Sequence, residues 1–82
     1  MIKKGDKTMR LFERGIKPLI KIIEDDIDVK NALVADKVVG KAAAFLYCKM
    51  QVEKIYALTI SEPAIKLLKD NDIFVEYENL VP

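Results

Sequence analysis

Lys54-Ile-Tyr-Ala-Leu-Thr-Ile60, Ser61-Glu-Pro-Ala64 directly after it, and Ile73-Phe-Val-Glu-Tyr77 further on decide how this chain folds. The first segment is apolar without a break, the pattern of a central strand covered on both faces. Ser61 then supplies an N-cap and Pro63 falls in the first turn of a helix. Ala64, Ile65, Leu67 and Leu68 recur at helical spacing as its buried face, and Asn71-Asp72 closes it. Ile73–Tyr77 is a second strand. A strand, a helix of about ten residues and another strand make a crossover unit, which runs parallel and right-handed. The class is α/β, with helices expected on both faces of a small sheet.

Working back from this unit, Val34-Ala-Asp-Lys-Val-Val-Gly-Lys-Ala-Ala-Ala-Phe-Leu-Tyr47 reads as a helix from about Asp36 to about Met50, apolar on nearly every side. Lys37, Lys41 and Lys49 mark its narrow wet stripe. Gly40 inside it would cost about 1 kcal/mol relative to alanine. Asn31–Ala35 is either one short strand or the approach to that helix. Ile16-Lys-Pro-Leu-Ile-Lys-Ile-Ile-Glu24 recurs with helical period, placing Ile16, Leu19, Ile20 and Ile23 on one face and Pro18 in the first turn. Gly15 separates it from a short strand at Thr8–Phe12. Asp25, Asp26 and Asp28 form a solvated turn without the glycine and terminal glutamate of a calcium loop.

Eighty-two residues make one domain, spanning 1–82. So short a chain buries only about 60–65% of its unfolded surface, yet 51% of its residues are hydrophobic. A second copy is a natural cover for the excess, so a homo-oligomer is expected. Fourteen basic residues against thirteen acidic ones leave a net charge of +1, too little for a nucleic-acid partner. The Ile2–Lys7 segment reads as a solvated terminus. No apolar run reaches membrane-spanning length, and charge follows Met1 where a signal peptide would be apolar. Cys48 is the single cysteine and reads as packing. No membrane partner and a cytoplasmic location are expected.

Several segments together resemble a known family. Arg14-Gly-Ile-Lys-Pro-Leu19, Ala35-Asp-Lys-Val-Val-Gly-Lys-Ala-Ala-Ala44, Ser61-Glu-Pro-Ala64 and the closing Leu80-Val-Pro82 are similar to the domain-of-unknown-function 1893 family, from about Arg14 to the C-terminus. The resemblance implies a small three-layer α-β-α sandwich with a mixed, cytidine-deaminase-like sheet and no established activity. Members of the family carry a further helix and strand before this point. They also continue past Leu-Val-Pro into a segment with Asn-Arg and a Cys-Pro-Met-Glu signature. The resemblance thus implies a chain shortened at both ends, with a sheet edge left open to association.

Zinc deamination needs a histidine or cysteine ligand and a glutamate at one helix start, with two cysteines at another. This chain has no histidine, and its one cysteine lies inside a helical pattern. That chemistry is excluded, and no metal or cofactor is expected. Gly40-Lys41 is no phosphate loop, since Ala35 and Ala42 stand where that motif needs glycine and a hydroxyl. What remains is geometry. Ligands of open α/β sheets sit beyond the carboxyl ends of strands, where helix N-termini offer free N–H groups to anions. The expected guest is an anionic small molecule, a nucleotide or phosphorylated metabolite. Asp36 and Lys37 at one helix mouth and Ser61 and Glu62 at the other are the candidate ligand-binding residues, with Arg14 and Gly15 at the rim. Each has a structural reading beside this one: Asp36 and Glu62 complement a helix dipole, Ser61 caps, and Lys37 is solvated. An enzyme using Asp36 as acid or base beside Lys37, and an oligomeric interaction module, are the alternatives.

Overall fold

The computed structural model describes residues 2–5, 7–9 and 17–82. In chain order the elements are β1 (Ile2–Lys4), β2 (Lys7–Met9), α1 (Lys17–Glu24), β3 (Leu33–Val39), α2 (Lys41–Met50), β4 (Lys54–Ser61), α3 (Glu62–Asp70) and β5 (Phe74–Val81). The five strands form one mixed sheet in the order β2-β1-β3-β4-β5. β1 is antiparallel to both its neighbours, whereas β3, β4 and β5 run parallel. The mixed α/β arrangement expected from the sequence is formed, but the described helices lie on one face of the sheet rather than on both.

The crossover unit forms as read, from β4 through α3 to β5. A second one precedes it, and here the sequence reading is corrected. Asp36, Lys37, Val38 and Val39 belong to β3, not to a helix, and the helix begins only at Lys41 with Gly40 as its N-cap. β-branched Val38 and Val39 favour a strand, glycine is poor inside a helix, and β4 supplies a parallel partner from Leu33↔Lys54 to Val39↔Ile60. The Ile2–Lys7 segment is also more than a solvated terminus. Gly5, at φ +57°, turns β1 back on β2, and Ile2 is buried beside Val34. The strand expected at Thr8–Phe12 is described only at Lys7–Met9; Arg10 to Phe12 lie outside the described residues.

Both crossovers step in the same direction across the sheet, so α2 and α3 lie side by side, with α1 against α2. The core sits between this layer and the sheet. Leu19 and Ile22 come from α1; Ala44, Tyr47 and Met50 from α2; Ala64 and Leu68 from α3. They cover Ile2, Val34, Ile55, Ala57 and Ile60. No described helix covers the other sheet face, where Leu33 and Tyr56 are exposed.

α2 ends at Gln51, which adopts the left-handed conformation (φ 56°, ψ 42°) and donates its N–H to the Cys48 carbonyl. A side chain in that conformation is strained by about 1 kcal/mol, and glycine is not. Gln51→Gly should raise stability by about 0.5–1 kcal/mol, read as a higher urea midpoint at unchanged slope.

Candidate functional site

The carboxyl ends of the parallel strands bring two helix starts together. Val39 is paired with Ile60, which sets Gly40 beside Ser61. Both caps are extended, Gly40 at φ −92° and ψ −178° and Ser61 at φ −86° and ψ 154°. They differ in what they offer the helix. Ser61 accepts a hydrogen bond from the Ala64 N–H through its Oγ at 3.3 Å, and Pro63 removes a further donor from the first turn. Gly40 has no side chain to give, and α2 carries no side-chain cap. Space is open in front of it: a Cβ built on Gly40 would meet nothing within 4 Å. The backbone donors of the first turn of α2 therefore face outward, with the partial positive charge of a helix start.

Charge around this end is mixed. Lys41 is exposed at the start of α2 and Glu62 at the start of α3, whereas Lys37, alternating with Asp36 along β3, is exposed on the sheet face away from the helices. Asp36 is elsewhere. It lies three residues before the end of β3, roughly 10 Å down the strand at about 3.3 Å per residue. It pairs with Ala57 and accepts a hydrogen bond from the Tyr47 hydroxyl at 2.6 Å. Tyr47 is 1% exposed. Burial first, and the Asp36 carboxylate second, push its phenol well above the ordinary tyrosine range. This bond fastens the middle of α2 to the strand beneath it.

Of the residues singled out from sequence, Ser61 and Glu62 stand at a helix mouth as expected. Asp36 and Lys37 are strand residues, and Arg14 and Gly15 lie outside the described residues. The sequence reading missed Gly40 and Lys41, which open α2; the Val-Val-Gly-Lys junction was the available signal. It also missed Tyr47 as the partner of Asp36.

Among the described residues, clefts also lie away from this end. One of about 450 Å³ at the opposite end of the sheet is lined by Asn31, Cys48, Glu53, Asn71 and Phe74. One of about 400 Å³ sits beneath α1, between Ile22, Asp28 and Met50. A groove of about 270 Å³ runs over the helix-free sheet face, lined by Lys3, Leu33, Ala35, Lys54, Tyr56 and Glu76. Cys48 packs where α2 meets α3, with Sγ 3.8 Å from the Leu67 carbonyl. Burial raises its thiol pKa, the opposite of what a reactive cysteine needs.

A family model described as a domain of unknown function, DUF1893 (TM1506), matches residues 1–82. The chain belongs to the DUF1893 family. The crystal structure of a DUF1893 family protein (TM1506) from Thermotoga maritima is similar, with 36% sequence identity and a TM-score of 0.75. The match covers 85% of this DUF1893 chain and 48% of the solved one, so the chain spans about half the length of that relative. Comparison with curated proteins gives no match. Among the described residues no helix is long and apolar enough to cross a membrane.

Proposed function

We propose that this DUF1893 chain is a small cytoplasmic domain of deaminase-like fold, without zinc-deaminase chemistry, that binds an anionic small molecule where α2 and α3 begin. The guest is a nucleotide or a phosphorylated metabolite. The observation carrying the reading is the uncapped, unobstructed start of α2 at Gly40, set beside the capped start of α3 at Ser61. Phosphate oxygens would accept from the free N–H groups of the first turn, with Lys41 supplying full charge beside them and Lys37 only longer-range charge from the other face of β3. Glu62 would repel a second anion on the α3 side and give the site direction. In this reading Asp36 is a positioning residue, holding α2 through Tyr47 so that its first turn stays aimed at the guest.

The test is a thermal-shift series with inorganic phosphate, nucleoside monophosphates and nucleoside triphosphates on the wild-type chain and on Gly40→Asp, Lys41→Ala and Lys37→Ala. A ligand at a hundredfold its dissociation constant stabilises by about 2.7 kcal/mol, a shift on the order of 10 °C or more in so small a domain. Gly40→Asp adds a capping carboxylate at a backbone conformation aspartate adopts freely. It should keep or slightly raise the unliganded midpoint while abolishing the shift. Lys41→Ala should reduce the shift with little change in the unliganded midpoint. A full shift in Gly40→Asp overturns the assignment of the site to the start of α2.

A further inference from the structure

The proposed anion site leaves unexplained the face of the sheet that no described helix covers. Strand register defines it. Lys3 is paired with Leu33, Leu33 with Lys54, and Lys54 with Phe74, so these four side chains form one row across the sheet. Ala35, Tyr56 and Glu76 form the next. Their alternates, Ile2, Val34 and Ile55, point into the core. Phe74 is 74% exposed and Tyr56 41% exposed, with Leu33 similar. A central parallel strand that leaves an aromatic ring in water is unusual, because parallel sheets are normally covered on both faces. Contiguous apolar surface of this kind marks an interaction site.

The charges on the same face are sorted. Lys3 on β1 and Lys37 on β3 stand to one side, whereas Glu76 and Glu78 stand on β5, at the far edge. In the middle Lys54 lies 2.8 Å from Glu76. Glu78 shares the face with Tyr56, whose hydroxyl it engages. A basic β1–β3 side carrying Lys3 and Lys37 and an acidic β5 margin flank the apolar groups Leu33, Ala35 and Tyr56. Such a surface complements itself when turned about a two-fold axis: β1 and β3 of one copy lie over β5 and β4 of the other. Lysine then meets glutamate at both margins, and the aromatic and aliphatic groups meet in the middle. A partner of uniform charge would match one margin and be repelled by the other.

We propose that the sheet face left uncovered by the described helices is a homodimer interface, in which a second copy of this chain supplies the covering layer. The two copies form a sheet-on-sheet sandwich between two outer layers of helices, and Lys3 of each faces the Glu76–Glu78 margin of the other. This assignment is independent of the anion site, which lies at the carboxyl ends of the strands.

Sedimentation velocity over a wide concentration range tests it, on the wild-type chain, Tyr56→Lys, Lys3→Glu and Glu78→Lys. Circular dichroism checks the fold of each variant. The wild-type chain should sediment as a dimer and Tyr56→Lys as a folded monomer. Lys3→Glu and Glu78→Lys should each weaken association on the order of tenfold or more, since like charges then face each other twice. Mixed in equal amounts, these two variants should associate again, because the heterodimer restores opposite charge at both margins. A wild-type chain that stays monomeric at every concentration, or dimerises with Tyr56→Lys unchanged, overturns the proposal. The first result would assign the face to a different partner and the second would place association at the β5 edge. A mixture no tighter than its components overturns the charge pairing and with it the two-fold arrangement.

Discussion

Ile55→Ala is expected to destabilise the domain by about 2–5 kcal/mol. Ile55 sits on β4, the strand held between two parallel partners, and pairs with Val34 on one side and Val75 on the other. Its side chain is 0% exposed and belongs to the cluster that joins the sheet to the helices. Removing three carbons forfeits their transfer free energy and leaves a cavity that strands hydrogen-bonded on both edges cannot close. A chain of this length holds only roughly 4–12 kcal/mol in total, at about 0.05–0.15 kcal/mol per residue. One substitution therefore consumes a large part of the margin. The midpoint of thermal unfolding should fall by at least about 10 °C. A drop of under about 3 °C would mean that β4 is not the centre of the core. Tyr56→Ala, one residue along but on the helix-free face, is the control and should cost much less in the monomer.

The contrast between those neighbours explains what could be read from sequence. The β4–α3–β5 unit was legible because each of its signals is local: an unbroken apolar strand, then Ser-Glu-Pro to start a helix, then Asn-Asp to stop it. Even there, Tyr56 and Leu58 made the strand look covered on both sides, whereas no described helix covers one of them. An apolar run records that surface is to be covered, and says nothing of whether the cover belongs to the same molecule. The Asp36–Met50 stretch was misread for a related reason. Val38-Val39 and Ala42-Ala43-Ala44 fuse into one apolar run in which period alone cannot separate a buried strand from a buried helix. Gly40, costly inside a helix, is the boundary between strand and helix. β1 was missed because three residues carrying two lysines hold no periodicity at all; only its antiparallel pairing with β3 makes Ile2 a core residue.

The candidate site divides along the same line. Ser61 was legible as a cap because capping is fixed by the next three residues. The companion mouth at Gly40 depends on β3 running to Val39, which is set by its pairing with β4 rather than by local sequence. The partnership of Asp36 with Tyr47 spans eleven positions and needs α2 folded back over β3 before the hydroxyl finds the carboxylate. No spacing rule encodes that geometry.

That partnership carries the second large effect. Tyr47→Phe keeps the ring and deletes the donor, so it isolates the 2.6 Å bond to Asp36. Hydrogen bonds to charged groups contribute about 1.5–3 kcal/mol, and the carboxylate left behind beneath α2 is difficult to resolvate. A loss of about 2 kcal/mol is expected, with a smaller loss for Asp36→Asn, which keeps an acceptor. The double variant should fall short of the sum by about 1 kcal/mol or more, the signature of direct coupling. Additive losses would mean that the two side chains do not meet. The pH dependence supplies an independent check. The folded phenol titrates well above its unfolded value of about 10, so in alkali the unfolded chain gives up this proton while the folded chain keeps it. The resulting stability is complete below pH 10 and is lost as pH rises beyond it, at up to about 1.4 kcal/mol per pH unit. Wild-type unfolding free energy should therefore fall more steeply above pH 10 than that of Tyr47→Phe. Absorbance of tyrosinate should show one phenol fewer ionising before unfolding than after it in the wild type, relative to the variant. Parallel alkaline limbs for the two proteins would place Tyr47 in contact with solvent and remove the anchor that orients α2.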